Sequence, residues 1–253
     1  MTQRISPRRV LVVLASTQRR GAELQGIDLA RGLTSRGFDA RVTAVERGSG
    51  PDLLDIPTLG RSRWSLRALL RLRRTARHAI VIAHGSSSLV TVGVATRRLR
   101  TGWVYRSIGD PAAWVSSRSQ VSRTGSMLRR ASAVVVLWEG ARASMQTVYR
   151  VDPNKIVVIP NSRDPERFCP VDEQERSRVR NELGVSGTVV LWIGSLSEEK
   201  QPLDAVRVVA GLEDAQLLVV GVGAQADSMR KLADSLAPGR VRFLGTVSDP
   251  ERV

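Results

Sequence analysis

Nine short apolar runs recur along the 253 residues, and their spacing limits the possible folds more than any other feature. They read RVLVVLAS (9–16), DARVTAVE (39–46), AIVIAHG (79–85), WVYRSIG (103–109), AVVVLW (133–138), KIVVIPN (155–161), TVVLWIG (188–194), AQLLVVGVG (215–223) and RVRFLG (240–245). Runs of this length without strict apolar–polar alternation are the pattern of strands buried on both faces. Amphipathic stretches separate them. Residues 24–37 bring Leu24, Ile27, Leu29 and Leu33 near one helical face and stop at Gly37; residues 65–78 open on Ser65; residues 228–239 end in Pro-Gly. Strand–helix–strand repetition predicts the α/β class, with a mostly parallel, doubly wound sheet and helices on both faces.

The rhythm breaks once, in IPNSRDPERFCPVDEQERSRVRNELGVSG, where Pro160, Pro165 and Pro170 punctuate a polar segment. The divide is expected near residue 168, giving a first domain over 1–168 with six strands and a second over 169–253 with three. A parallel sheet of three strands leaves an edge and part of its faces uncovered, so the second domain is expected to be incomplete.

Composition narrows the classes. With 42% hydrophobic and 25% charged residues the chain is globular. Cys169 is the single cysteine, which rules out an internal disulfide framework and suits a reducing compartment; it has no second Cys or nearby His to complete a metal site, and no metal or cofactor is expected. The opening VLVVLA is too short for a secretory signal and reads as a buried strand, and no apolar run nears the roughly 20 residues that cross a bilayer. A cytoplasmic protein, at most peripheral at the inner membrane face, is the expectation. The net charge of +15 attracts anions. Aromatics at 4%, with no zinc spacing or RNA-recognition pattern, argue against nucleic acid. The basic stretch SRWSLRALLRLRRTARHAI, with Leu66, Leu69, Leu70 and Leu72 among arginines, has two readings: an ordinary crossover helix, or contact with an anionic membrane surface.

Only three of the 39 cationic residues are lysine, and one, Lys200, stands in IGSLSEEKQP, the loop between an apolar run and a helix. A second loop, GVGAQA (221–226), fits Gly-x-Gly-x-x-Ala after a strand, a spacing that lets backbone approach a phosphate at a helix amino end. Taken alone that loop would admit a dinucleotide-binding oxidoreductase.

The motifs in order resemble a known family. RRGAELQGIDLARGLTSRGFDARVTAV, IVIAHGSSSLV, ASAVVVLWEGARASM, KIVVIPNSRDPERFCP, WIGSLSEEKQPLDAV, LLVVGVGAQADSMRKLA and VRFLGTVSD are similar to successive elements of glycosyltransferase family 4, retaining, nucleotide-sugar-dependent enzymes with two Rossmann-like domains (the GT-B fold). The resemblance implies an acceptor-side first domain and a donor-side second domain, binding a UDP or GDP sugar and a saccharide or lipid acceptor. It places Lys200 and Ser195 at the donor diphosphate, Ser195 standing where the family usually has arginine. Gly21, with Arg20 in the place of a first glycine, belongs to the loop that approaches the diphosphate or the acceptor from the other domain. Gly194, Gly221 and Gly223 border the nucleotide, and His84, Arg106 and Asp110 are acceptor-side candidates. The family's pair of glutamates separated by seven residues has no counterpart, so the resemblance implies a chain ending inside the donor domain, with a non-catalytic sugar-nucleotide binder as the alternative to an active transferase.

Overall fold

The computed structural model describes residues 8–49, 52–62, 65–99, 101–114, 117–247 and 249–252. The chain divides into two compact units, Met1–Asn161 and Ser162–Val253. The sequence reading put the divide at 168. Residues from Ser162 go with the second unit, where Arg167 donates two hydrogen bonds to the carboxylate of Glu251, at 2.6 and 2.9 Å.

The first unit carries β1 (Arg9–Ser16), α1 (Gly21–Ser35), β2 (Asp39–Glu46), α2 (Leu66–Ala76), β3 (Ile80–His84), α3 (Ser86–Ala95), β4 (Trp103–Arg106), α4 (Arg118–Arg130), β5 (Ala133–Val136), α5 (Glu139–Thr147) and β6 (Ile156–Val158). Its six strands are parallel in the order β2-β1-β3-β4-β5-β6. β1 lies between β2 and β3 with helices on both sides, so Val10 to Leu14 are buried on both faces, which is why that run reads as continuous rather than alternating. Leu11 and Val13 pack with Ala68, Leu72 and Ala76 of α2, Leu89 and Val92 of α3 and Leu128 of α4. Val12 and Leu14 pack on the other face with Ala30, Ile27 and Leu29 of α1.

Helix α1 corrects one detail. The leucine stripe expected to face the sheet is only partly inward: Leu24 is exposed, and the buried line is Glu23, Gly26 and Ala30. Small residues let the helix lie close to the sheet, with Gly26 against Leu14 and His84. The helix ends where Gly37 takes φ +85°, and the amides of Gly37 and Phe38 return to Thr34 and Leu33.

Arginines close several helix ends. Arg73 donates to the carbonyls of Ala95 (3.0 Å) and Arg97 (2.7 Å), Arg129 to Tyr149 (2.8 Å) and Arg130 to Gly93 (3.3 Å).

The second unit contains α6 (Glu173–Glu182), β7 (Thr188–Ile193), α7 (Pro202–Ala210), β8 (Ala215–Val220), α8 (Ala226–Leu236) and β9 (Val241–Gly245), with parallel strands in the order β7-β8-β9. Val206 and Val209 of α7 and Met229 and Ala233 of α8 cover the sheet face formed by Val190, Trp192, Leu217, Val219 and Phe243. On β7, Leu191 and Ile193 are exposed. Arg240 here repeats the closing role, donating to Val209 (3.0 Å) and Leu212 (2.5 Å). Among the described residues no helix is long and apolar enough to cross a membrane.

Candidate functional site

In each unit the candidate residues gather at the carboxyl ends of the strands, the edge at which open α/β sheets bind ligands.

In the second unit two loops are joined backbone to backbone. The amide of Gly194 donates to Val220 (3.0 Å), that of Leu196 to Val222 (3.0 Å), and that of Gln225 to Leu196 (2.9 Å). This approach explains the glycines. A β-carbon on Gly221, whose φ is +140°, would lie 2.9 Å from the Gly194 carbonyl carbon and nearer still to its oxygen; one on Gly223 would lie 2.6 Å from the carbonyl carbon of Leu196. The spacing Gly-x-Gly thus serves loop-to-loop packing. Leu196 is buried, and the serines flanking it are held beside each other, Ser195 Oγ and Ser197 Oγ 3.2 Å apart. A 3-10 turn over Glu198–Lys200 and a left-handed Gln201 (φ +52°) then deliver the chain to Pro202 at the start of α7. The Lys200 side chain is 57% exposed, its Nζ 3.9 Å from Glu199, a loose pair of little energetic worth. Two hydroxyls and one ammonium are therefore presented on an anchored loop, a set able to donate to an anion.

In the first unit a connected polar group spans the ends of β1, β3 and β4. Arg20, preceding Gly21 and α1, donates to Glu23 (2.9 Å) and reaches Ser16 Oγ (3.4 Å). Glu23 is only 3% exposed, and among the described residues its Oε2 has no hydrogen-bond partner. Gly21 itself is exposed with open space around it.

His84 is 2% exposed at the end of β3, opposite Arg106 in the β3–β4 register. Its Nε2 lies 2.8 Å from the Ala22 carbonyl, and Arg106 lies 3.4 Å from its Nδ1. A carbonyl only accepts and a guanidinium only donates, so the ring must be the neutral tautomer with hydrogen on Nε2. Burial, reinforced by the positive charge of Arg106, lowers its pKa to about 4. At neutral pH His84 is a fixed connector between α1 and Arg106.

Arg106 also donates to Asn161 Oδ1 (2.9 Å). Asp110 is exposed, and its Oδ1 accepts the amide of Ala112 (2.9 Å), capping the turn Pro111–Trp114, while Tyr149 donates to the carbonyl of Pro111 (2.9 Å). The structure thus joins His84 and Arg106 directly and sets Asp110 in the loop following β4. Sequence reasoning missed Glu23 and Asn161. The former stands three residues after Arg20 at a helix start, a spacing that puts both side chains on one side; Asn161 lies far from Arg106 in sequence and gives no local signal. No cluster of residues suited to a metal occurs among the described residues.

Two α/β units, each with a parallel sheet and donor groups at its carboxyl edge, define the open, Rossmann-like class of fold, whose ligands bind at that edge. Comparison with known proteins gives the family: the model of glycosyltransferase family 4 matches residues 19–167, and the chain belongs to that family. A mannosyltransferase of Corynebacterium glutamicum, GDP-mannose-dependent and acting on a monoacylated phosphatidylinositol monomannoside, is 32% identical over 93 residues, 34% of this chain and 24% of that protein. A D-inositol 3-phosphate glycosyltransferase of Kineococcus radiotolerans is 29% identical over 134 residues, 51% of this chain and 29% of that protein. The matched stretches thus span only about a quarter to a third of these relatives' length. The crystal structure of Anabaena HepE in complex with UDP-glucose has a TM-score of 0.81 at 21% identity, over 96% of this chain and 70% of that one. WaaG, a glycosyltransferase involved in lipopolysaccharide biosynthesis, has a TM-score of 0.66 at 15% identity, over 96% of this chain and 71% of that one. At these identities the likeness establishes the fold, which is the GT-B type.

Proposed function

We propose that this chain supports transfer of a sugar from a nucleoside diphosphate sugar, with uridine or guanosine as the nucleoside, to a saccharide or lipid acceptor. The observation that carries the reading is the anchored loop after β7, which holds Ser195, Ser197 and Lys200 at the carboxyl edge of the second sheet. Membership of family 4 and the fold shared with a UDP-glucose complex support it.

In the reaction the bond from the sugar C1 to the diphosphate oxygen breaks, an acceptor hydroxyl oxygen forms the new bond to C1, and the proton of that hydroxyl is released to the departing diphosphate or to water. The leaving diphosphate gains negative charge. Lys200 is the group that answers that charge, with Ser195 donating a hydrogen bond where the family usually places a second cation. Gly194, Gly221 and Gly223 keep the neighbouring loops at backbone distance and so fix the shape of the nucleotide side. In the first unit Gly21 and Arg20 lie on the loop assigned to the diphosphate, while Arg106 and Asp110 face the acceptor and His84 holds Arg106 in place. Attachment to an anionic membrane face on the cytoplasmic side belongs to the same reading.

Calorimetric titration with UDP, GDP and UDP-glucose, beside NADH, tests the donor assignment. One nucleoside diphosphate should bind, and Lys200→Ala should weaken it about 10- to 100-fold, the range for losing a hydrogen bond to a charged group. Preference for NADH, or an unchanged affinity in Lys200→Ala, would count against it. Turnover of a radiolabelled sugar nucleotide then separates a transferase from a non-catalytic binder.

A further inference from the structure

The chain's positive charge is segregated. Between Asp55 and Glu139 stand 15 arginines and one carboxylate, Asp110, so residues 56–138 hold a formal +14 of the total +15. This segment supplies α2, α3 and α4, which cover one face of the six-stranded sheet through Ala68, Leu72, Leu89, Val92 and Leu128.

Elsewhere the same protein pairs many of its arginines with carboxylates. Arg31 meets Asp28 on α1, Arg176 and Arg178 meet Glu173, Glu175 and Glu182 on α6, and Arg207 meets Asp204 on α7. A general preference for arginine therefore does not explain an uncompensated layer. Within it, Arg73, Arg129 and Arg130 are occupied with carbonyls, and Arg71 donates to Leu59 (3.2 Å). Arg67, Arg74 and Arg77 on and just after α2 are exposed and, among the described residues, have neither an ion-pair nor a hydrogen-bond partner for their side chains. Like charges gathered in this way cost stability in the free molecule, an arrangement suited to an acidic partner.

The apolar residues say which partner. With Ala68, Leu72 and Ala76 inward, the helical repeat turns Leu66 and Leu70 outward into the same arc as Arg67, Arg74 and Arg77. Leu66 is 69% and Leu70 46% exposed. Alternating leucine and guanidinium on one helix surface fits the boundary between acyl chains and anionic headgroups, where leucine enters the apolar layer and arginine meets phosphate.

We infer that the outer face of α2, centred on Leu66, Leu70, Arg67, Arg74 and Arg77, docks on an anionic lipid bilayer, with the arginines of the α2–α4 layer supplying long-range attraction. This rests on and deepens the membrane part of the proposed function, and vesicle sedimentation of the full chain tests it without any sugar nucleotide. Protein should pellet with vesicles of phosphatidylcholine mixed with phosphatidylglycerol, remain in solution with phosphatidylcholine alone, and dissociate as salt rises.

The triple variant Arg67→Gln, Arg74→Gln, Arg77→Gln should lose on the order of a hundredfold in affinity for the acidic vesicles, at the typical increment per surface arginine. Leu66→Ser with Leu70→Ser should lose about tenfold or more while keeping the salt dependence. All five positions point outward, and an unchanged circular dichroism melt verifies the fold.

Equal binding to neutral vesicles, or undiminished binding by the triple variant, would overturn the assignment. Tighter binding of a DNA duplex that survives the leucine substitutions would overturn it in favour of nucleic acid. A failed nucleotide titration leaves the vesicle result standing, and failed vesicle binding leaves the titration standing.

Discussion

Gly221→Ala is expected to destabilise the second unit by about 2–6 kcal/mol, enough to consume much of the stability of so small a unit. The added methyl collides with the backbone of Gly194, which has no free end to swing aside because its amide is bonded to Val220. Forced overpacking costs about 1–3 kcal/mol, and holding an alanine at a φ of +140° adds backbone strain of about 1–3 kcal/mol. Urea denaturation of parent and variant should move the transition of the second unit to much lower denaturant and leave that of the first in place. Limited proteolysis should then cut after Asn161 and spare β1 to β6. A variant that unfolds like the parent would show that the loops are not in fact in contact.

The second large effect is a pH dependence set by His84. Its pKa is about 4 in the folded chain against 6.5 in an unfolded one. Between those values the unfolded chain binds the proton and the folded one does not, so stability is complete above pH 6.5 and declines as pH falls. The linkage amounts to about 2 kcal/mol by pH 5 and about 3 kcal/mol at the lower limit. His84→Gln retains a donor for Ala22 and an acceptor for Arg106 without the titration. Urea midpoints of parent and variant should therefore converge as the pH is lowered from 7 to 5, the parent losing more. Parallel midpoints across that interval would mean the ring is not buried as described. Taking the difference between the two proteins removes the contribution of carboxylates such as Glu175 and Glu251, whose pKa values are lowered by Arg178 and Arg167.

How far the sequence could be read differs between backbone and side chains. All nine apolar runs are strands, β1 the most continuous because both its faces are buried, although the equally apolar run LVTVGVA (89–95) forms part of α3. The inward side of α1 was harder to see, since Glu23, Gly26 and Ala30 carry little hydrophobic signal; close packing rather than apolar area chose that face. The GVG loop has two readings from spacing, and only the folded chain brings the loop after β7 against the backbone of both glycines. Lys200 was legible as a scarce residue in a telling loop. The connection from Ala22 through His84 and Arg106 to Asn161 was not, because it links residues that only the parallel register brings side by side.

The arginines that close helix ends bear on how this protein can be altered. Arg73 spans two carbonyl oxygens and Arg240 three; Lys155 brackets those of Arg129 and Ala131, but a flat, rigid guanidinium holds such a bracket with less loss of freedom than a rotating ammonium. Exchanging such residues for lysine keeps the charge and loosens the bracket. Part of the imbalance between the two cations is therefore carpentry, and a sequence redesigned toward ordinary lysine usage would come loose at its corners first.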